Sequence, residues 1–332
     1  MPTKVLLVNT LEQTVKEAQE MTPPGFELVV GAPGSAEYAA ALAGTEYLIG
    51  NVSPMDEAFF RAAPRLRLAQ LFSAGYDHVD LDAARRAGVV VANNGGANSR
   101  AVAEHTILLM LAVYRKLVPQ HAMTSSGVWR GNQPVPTFYE MQGKTLGIIG
   151  YGTIGKRVAR IAAGGFDMRI QYNDIVRLPE HEEDALDVRY RLLPELMRTS
   201  DIVTLHVPLT RLTRNMISTR ELGYMQPHAV LINCSRGPVI DFAALHETLT
   251  ARRIAGAGLD VFPQEPPSPS EPVLSLDNVV LTPHLAGASR ETRVKQTRNA
   301  FDNVLRVHRG DHPLWVVPEL RDMAVKAGAA TA

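Results

Sequence analysis

Residues 146–160 read LGIIGYGTIGKRVAR, and they set Gly150, Gly152 and Gly155 in a G-x-G-x-x-G pattern between a strand-like run and a helical one. In that context the first glycine allows a tight turn, the second lets backbone approach a pyrophosphate, and the third lets the helix lie close on its strand. The helix start that follows, from Thr153 and Ile154, offers unpaired N–H groups and a positive dipole end to phosphate. An ordinary strand-to-helix turn can carry the same letters, so the flanking pattern decides the reading. The turn lies near the middle of 332 residues, which raises the question of what precedes it.

Upstream, the apolar runs KVLLV, ELVV, EYLI, LAQLF and GVVVA alternate with helical patterns such as residues 36–42. Downstream, TLGII, MRIQY, DIVTLHV, AVLIN, AGAGLD and NVVLT make six candidate strands, the number in a complete doubly wound nucleotide domain. The glycine turn is therefore central because it opens a second α/β unit. Between the units, Ser99 is a plausible N-cap for one long helix over RAVAEHTILLMLAVYRKL, followed by a polar, proline-containing connection around GVWRGNQPVPTFYE. A last helix covers about residues 289–309, and its pattern does not say where it packs.

The bulk numbers agree with two domains, since the chain exceeds the usual range of one growing core and 45 % of its residues are hydrophobic. Lys plus Arg and Asp plus Glu each number 34, so no net charge draws the chain to nucleic acid or an anionic membrane. No apolar run is long enough for a signal-peptide core or a bilayer span, which leads us to expect a cytoplasmic protein. The single cysteine, Cys234, excludes an internal disulfide, and no His, Asp or Glu spacing suggests a metal.

About 20 residues beyond the turn stands Asp174, where a carboxylate accepts hydrogen bonds from an adenosine ribose and repels a 2′-phosphate. The expected cofactor is NAD rather than NADP, with Asn173 as the competing register and Arg177 near enough to soften the choice. Three later strands end in NCSRG, LDVFPQEP and LTPHLAGAS, which puts Arg236, Glu265 and His284 at the sheet end where α/β folds bind ligands. Each residue has a plainer reading, as a surface arginine, a loop acid or a histidine beside a proline. Together behind a dinucleotide turn they suit hydride transfer to a 2-oxo acid. A guanidinium holds the carboxylate and polarises the carbonyl, while an imidazole supplies the proton and a carboxylate orients it and favours its protonated form. Cys234 lacks a visible activating partner, and His105 and Glu104 fit hydrogen-bonding or interface roles in an apolar helix.

With VAEHT and the central turn, these motifs resemble the D-isomer-specific 2-hydroxyacid dehydrogenase family over nearly the whole chain. The resemblance implies Arg236, Glu265 and His284 as the catalytic trio of an NAD-dependent enzyme interconverting a small 2-oxo acid and its D-2-hydroxy acid. It implies that FSAGYDHVD is a substrate loop, with Ser73, Ala74 and Gly75 contacting the substrate carboxylate. Along the cofactor it implies His206, Val207, Cys234, Ser235, Asp260, His284 and Gly287.

The fold it implies is α/β with two doubly wound parallel-sheet domains. A Rossmann domain, 101–284, would be inserted in a discontinuous flavodoxin-like substrate domain, 1–100 and 285–332, with hinge closure between them. It further implies a homodimer through the cofactor domain. Substrate choice would rest on loops around residues 51–54, Tyr76 and Trp129. A nicotinamide-sensing module related to corepressors, and the formate and phosphite dehydrogenase branches, are the alternatives. Gly164 and Gly165 look like an extra residue's worth of slack between helix and strand in IAAGGFDM.

Overall fold

The computed structural model describes residues 2–130 and 137–326, so part of the polar connection after the long helix, residues 131–136, lies outside the described residues. The chain forms two compact units, one from residues 1–98 with 289–332 and one from residues 99–288.

The first unit holds the strands β1 (Thr3–Val8), β2 (Phe26–Val30), β3 (Tyr47–Gly50), β4 (Leu68–Gln70) and β5 (Val90–Ala92). They pair in parallel in the order β2-β1-β3-β4-β5, the flavodoxin-like order. Period-two geometry explains the unbroken apolar runs, because helices cover both faces. Along β1, Leu6 and Val8 join a core with Phe59 and Phe60, whereas Val5 and Leu7 meet Phe301 and Val304. Those last two residues belong to the helix Arg290–His308, which is capped by Ser289 through the Thr292 N–H at 3.0 Å. The last helix thus completes the first unit's core. Arg67, 5 % exposed, fastens this returning segment. Its guanidinium donates to the carbonyls of Val307 at 3.0 Å and Lys326 at 2.9 Å and to the Tyr47 hydroxyl at 2.7 Å.

The second unit holds β6 (Thr145–Ile149), β7 (Arg169–Asn173), β8 (Val188–Tyr190), β9 (Ile202–Leu205), β10 (Val230–Asn233), β11 (Gly256–Leu259) and β12 (Val279–Leu281). Their order is β12-β11-β10-β9-β6-β7-β8, all parallel. Sequence reading expected six strands, and the seventh is β8. It has only three residues, VRY, with an exposed arginine in the middle, too short for periodicity to register. The topology reverses between β6 and β9, and a doubly wound sheet opens a ligand crevice at that point, beyond the carboxyl ends of its strands.

Two further expectations need correction. The helix from Ser99 ends at Tyr114 rather than running through Leu117, because Lys116 takes φ 48° and a separate helix, Leu117–Ser125, begins. Arg115 and Lys116 are good helix formers, so nothing local announced the break. Gly164 and Gly165 lie inside the helix Thr153–Phe166, and the passage to β7 is made instead by Asp167 at φ 51°.

Candidate active site

At the end of β6, Gly150 has φ 92°, and a Cβ there would lie 2.5 Å from the His206 carbonyl oxygen and 2.9 Å from Val207 Cγ1. Only glycine permits the turn while β9 ends so close. A Cβ on Gly155 would stand 2.3 Å from the Gly150 oxygen, whereas a Cβ on Gly152 would meet nothing within 4 Å. The turn is packed on its inner side and open at Gly152. Gly152 caps the helix Thr153–Phe166 without any side-chain hydrogen bond, which leaves the N–H groups of its first turn, on Thr153 and Ile154, available to an anion.

Asp174 follows β7 directly. Its Oδ2 accepts from the Tyr151 N–H at 2.7 Å and its Oδ1 from the Val176 N–H at 3.0 Å, so the carboxylate also braces the turn. Asn173 turns the other way, donating to the Arg191 carbonyl at 2.7 Å. Arg177 is engaged by Glu183, with Nε to Oε1 at 3.0 Å, and this guanidinium holds the buried Glu183 carboxyl below its ordinary range. His206, whose Nε2 lies 3.0 Å from Thr204 Oγ1, has a buried Nδ1 with no hydrogen-bond partner among the described residues. Burial lowers its pKa to about 3, so the ring is neutral. An open glycine cradle, unpaired helix-start N–H groups, an orphaned imidazole nitrogen and a carboxylate beside the turn together fit a dinucleotide.

Beyond β10, Asn233 shapes the next turn. Its Oδ1 accepts the Ser235 N–H at 2.9 Å and its Nδ2 donates to the Arg236 carbonyl at 3.0 Å. Cys234 is buried, and burial pushes its thiol up to about 12, which keeps it protonated and inert. Arg236 Nη1 donates to the Ser235 carbonyl at 2.8 Å. The adjoining Gly237 packs directly on the next strand's loop, since a Cβ there would sit 2.0 Å from the Phe262 carbonyl carbon. That contact brings the Arg236 turn against the segment leading to Glu265.

Glu265 Oε1 accepts the Phe262 N–H at 3.0 Å, and Oε2 stands 2.6 Å from His284 Nδ1. The carboxylate fixes Nδ1 as the protonated nitrogen facing it and leaves Nε2 as the atom able to exchange a proton with a ligand. His284 has φ 55° and its side chain is 46 % exposed. Asp260, fully buried after β11, holds it there. The carboxylate accepts from Thr282 Oγ1 at 2.6 Å, the Leu285 N–H at 2.9 Å and the Ala286 N–H at 2.8 Å, while the Asp260 carbonyl accepts the His284 N–H at 2.7 Å. His105 Nε2 lies 3.0 Å from Thr282 Oγ1 and so reaches the same network. Gly287 falls in the following turn, closed by the Ala288 N–H on the Leu285 carbonyl.

Ser73, Ala74 and Gly75 lie in the first unit, beyond β4. Sequence reading did not anticipate Asn233, Gly237 or Thr282, whose roles come from partners far along the chain. No group of three or more His, Cys, Asp or Glu among the described residues could hold a metal, and no described helix is long and apolar enough to cross a membrane.

Comparison with known proteins adds to this geometry. Residues 107–286 match the family model for the NAD binding domain of D-isomer specific 2-hydroxyacid dehydrogenases. A glyoxylate reductase of Korarchaeum cryptofilum is 42 % identical over 262 residues, 78 % of each chain. The TT0316 protein of Thermus thermophilus superposes with TM-score 0.85 at 34 % identity, covering 95 % of this chain and all of that one. An NADPH-dependent glyoxylate/hydroxypyruvate reductase of Sinorhizobium meliloti, solved with NADP and malonate, gives TM-score 0.84 at 28 % identity over 99 % of this chain and all of that one. The chain belongs to the D-isomer-specific 2-hydroxyacid dehydrogenase family, NAD(P)-dependent oxidoreductases that act on the CH–OH group of 2-hydroxy acids.

Proposed function

We propose that the enzyme reduces a small 2-oxo acid of the glyoxylate and hydroxypyruvate type to its D-2-hydroxy acid, with NADH preferred over NADPH. The observation that carries the acid/base assignment is the 2.6 Å contact of Glu265 with His284 Nδ1, in the same unit as the glycine turn. Bound at that turn, the nicotinamide dinucleotide supplies the hydride to the carbonyl carbon. Arg236 holds the substrate carboxylate and draws charge toward the carbonyl oxygen. His284 donates its Nε2 proton to that oxygen, and Glu265 stabilises the ring while it carries the charge. In this reading residues 99–288 are the cofactor domain, residues 1–98 and 289–326 form the substrate domain, and the N–H groups of Ala74 and Gly75 dock the carboxylate. The names of the reductases above support the substrate class, and Asp174 with an engaged Arg177 supports NADH.

A second copy of the chain fits beside the helix Ser99–Tyr114. The adjoining helix Leu117–Ser125 buries none of its residues, and Leu108, Leu117, Val118 and Trp129 are exposed. Light scattering of the wild type and of Leu117→Asp checks this, a dimer converting to monomer being the expected result. The activity test is NADH and NADPH oxidation over a panel of 2-oxo acids, repeated with Arg236→Ala and His284→Ala. Binding of NADH without turnover of any acid would favour a sensing module.

A further inference from the structure

In the loop beyond β4, three side-chain donors each hold a backbone carbonyl. Gln296 Nε2, from the helix Arg290–His308, donates to the Phe72 carbonyl at 2.7 Å. Asn93 Nδ2, just beyond β5, donates to the Ala74 carbonyl at 2.9 Å. The Ser73 hydroxyl donates to the Gly75 carbonyl at 2.6 Å, and the Ser73 N–H reaches Asn51 Oδ1 at 3.3 Å. The N–H groups of Ala74 and Gly75 have no acceptor among the described residues. Three carbonyls of the loop are thus held by side-chain donors, while two consecutive N–H groups remain for an anion.

Asn93 is itself locked. Its Oδ1 accepts the Gly95 N–H at 3.0 Å, its N–H donates to the Trp315 carbonyl, and its carbonyl accepts Gln70 Nε2 at 2.9 Å. We infer that Gln296 and Asn93 are positioning residues for the substrate carboxylate: Asn93 holds the Ala74 carbonyl and with it the Gly75 N–H of the same planar peptide, Gln296 holds the Phe72 carbonyl and with it the entry of the loop at the Ser73 N–H, and neither touches substrate. The inference rests on the reading of loop 73–75 as the carboxylate dock. It makes substrate affinity depend on the last helix of the chain. Without either amide, a loop carbonyl is free to rotate toward the incoming carboxylate and oppose it.

The test uses Gln296→Met and Asn93→Ala as independent variants of the full chain. Each should raise KM for glyoxylate and the dissociation constant for oxalate, a non-reacting dicarboxylate, by about tenfold in parallel. The value of kcat at saturation should stay within about twofold, and NADH affinity by fluorescence titration should not move. Unchanged KM and oxalate binding in both variants would overturn the inference. So would a fall in melting temperature and kcat with oxalate binding intact, which is what loss of packing alone produces. If the wild type reduced no 2-oxo acid, the parent reading would fall, while calorimetric oxalate titration of wild type and variants would still decide this one.

Discussion

His284 Nδ1 lies 2.6 Å from Glu265 Oε2, and the histidine reaches that carboxylate from a backbone at φ 55°, in the left-handed region. Two separate devices therefore aim one imidazole: a carboxylate on the ring and the buried Asp260 beneath the backbone. Removing the proposed proton donor with His284→Ala should lower kcat by about 10²–10⁴. Glu265→Gln keeps a hydrogen-bonding partner but not its charge, and should cost nearer tenfold. Arg236→Ala should lower kcat/KM by a factor corresponding to roughly 3–4 kcal/mol. Steady-state kinetics of the three variants check the order.

The left-handed backbone at residue 284 predicts an inversion of the usual ranking of alanine and glycine. His284→Gly should be more stable than His284→Ala by about 1 kcal/mol, because a Cβ is strained at that φ. Both should show the same fall in kcat. Chemical denaturation of both measures the difference directly.

Asp260→Ala removes the acceptor for Thr282 Oγ1 and for the Leu285 and Ala286 N–H groups. With buried donors left unpaired at roughly 1–3 kcal/mol each, a large fall in melting temperature should accompany loss of turnover. A variant as stable as wild type would mean that the Asp260 contacts do not hold this segment.

Cofactor choice should follow Asp174. In Asp174→Ser the repulsion of a 2′-phosphate is gone, and the ratio of kcat/KM for NADH over NADPH should fall by about tenfold or more. Arg177 will contribute little in that variant while Glu183 holds it. An unaltered ratio would show that another residue sets the preference.

His206 gives a pH dependence of known sign. Its folded pKa is lowered by burial to about 3 from an ordinary 6.5, so the unfolded chain takes up a proton that the folded chain refuses. Its contribution is complete above pH 6.5 and is lost as pH falls, by about 1 kcal/mol between pH 7 and pH 5.5. Melting curves across that interval should flatten in His206→Gln.

What could be read from the letters was what local physics writes locally. All five strands of the first sheet and six of the second stand where short β-branched or aliphatic runs put them, and the glycine turn declared itself through its neighbours. The three-residue β8 and the break at Lys116 left no periodic trace. Asp260 was named only through the family resemblance, and its grip on residues 282–286 was not legible, since hydrogen bonds between distant segments carry no pattern. The same holds for Asn93 and Gln296, two ordinary amides whose partners lie 19 and 224 positions away.

The Arg67 clasp has a consequence for how the molecule is made. The guanidinium's two carbonyl partners, Val307 and Lys326, lie 240 and 259 residues downstream, and until Phe301 and Val304 arrive that sheet face is covered only in part, by Val15, Ala18 and Met21 of the helix Glu12–Met21. On the ribosome, the middle unit can acquire its core while the first strands still wait for the helix Arg290–His308. Truncation before residue 290 should therefore spare the dinucleotide half and leave the amino-terminal half, though fully translated, unable to settle.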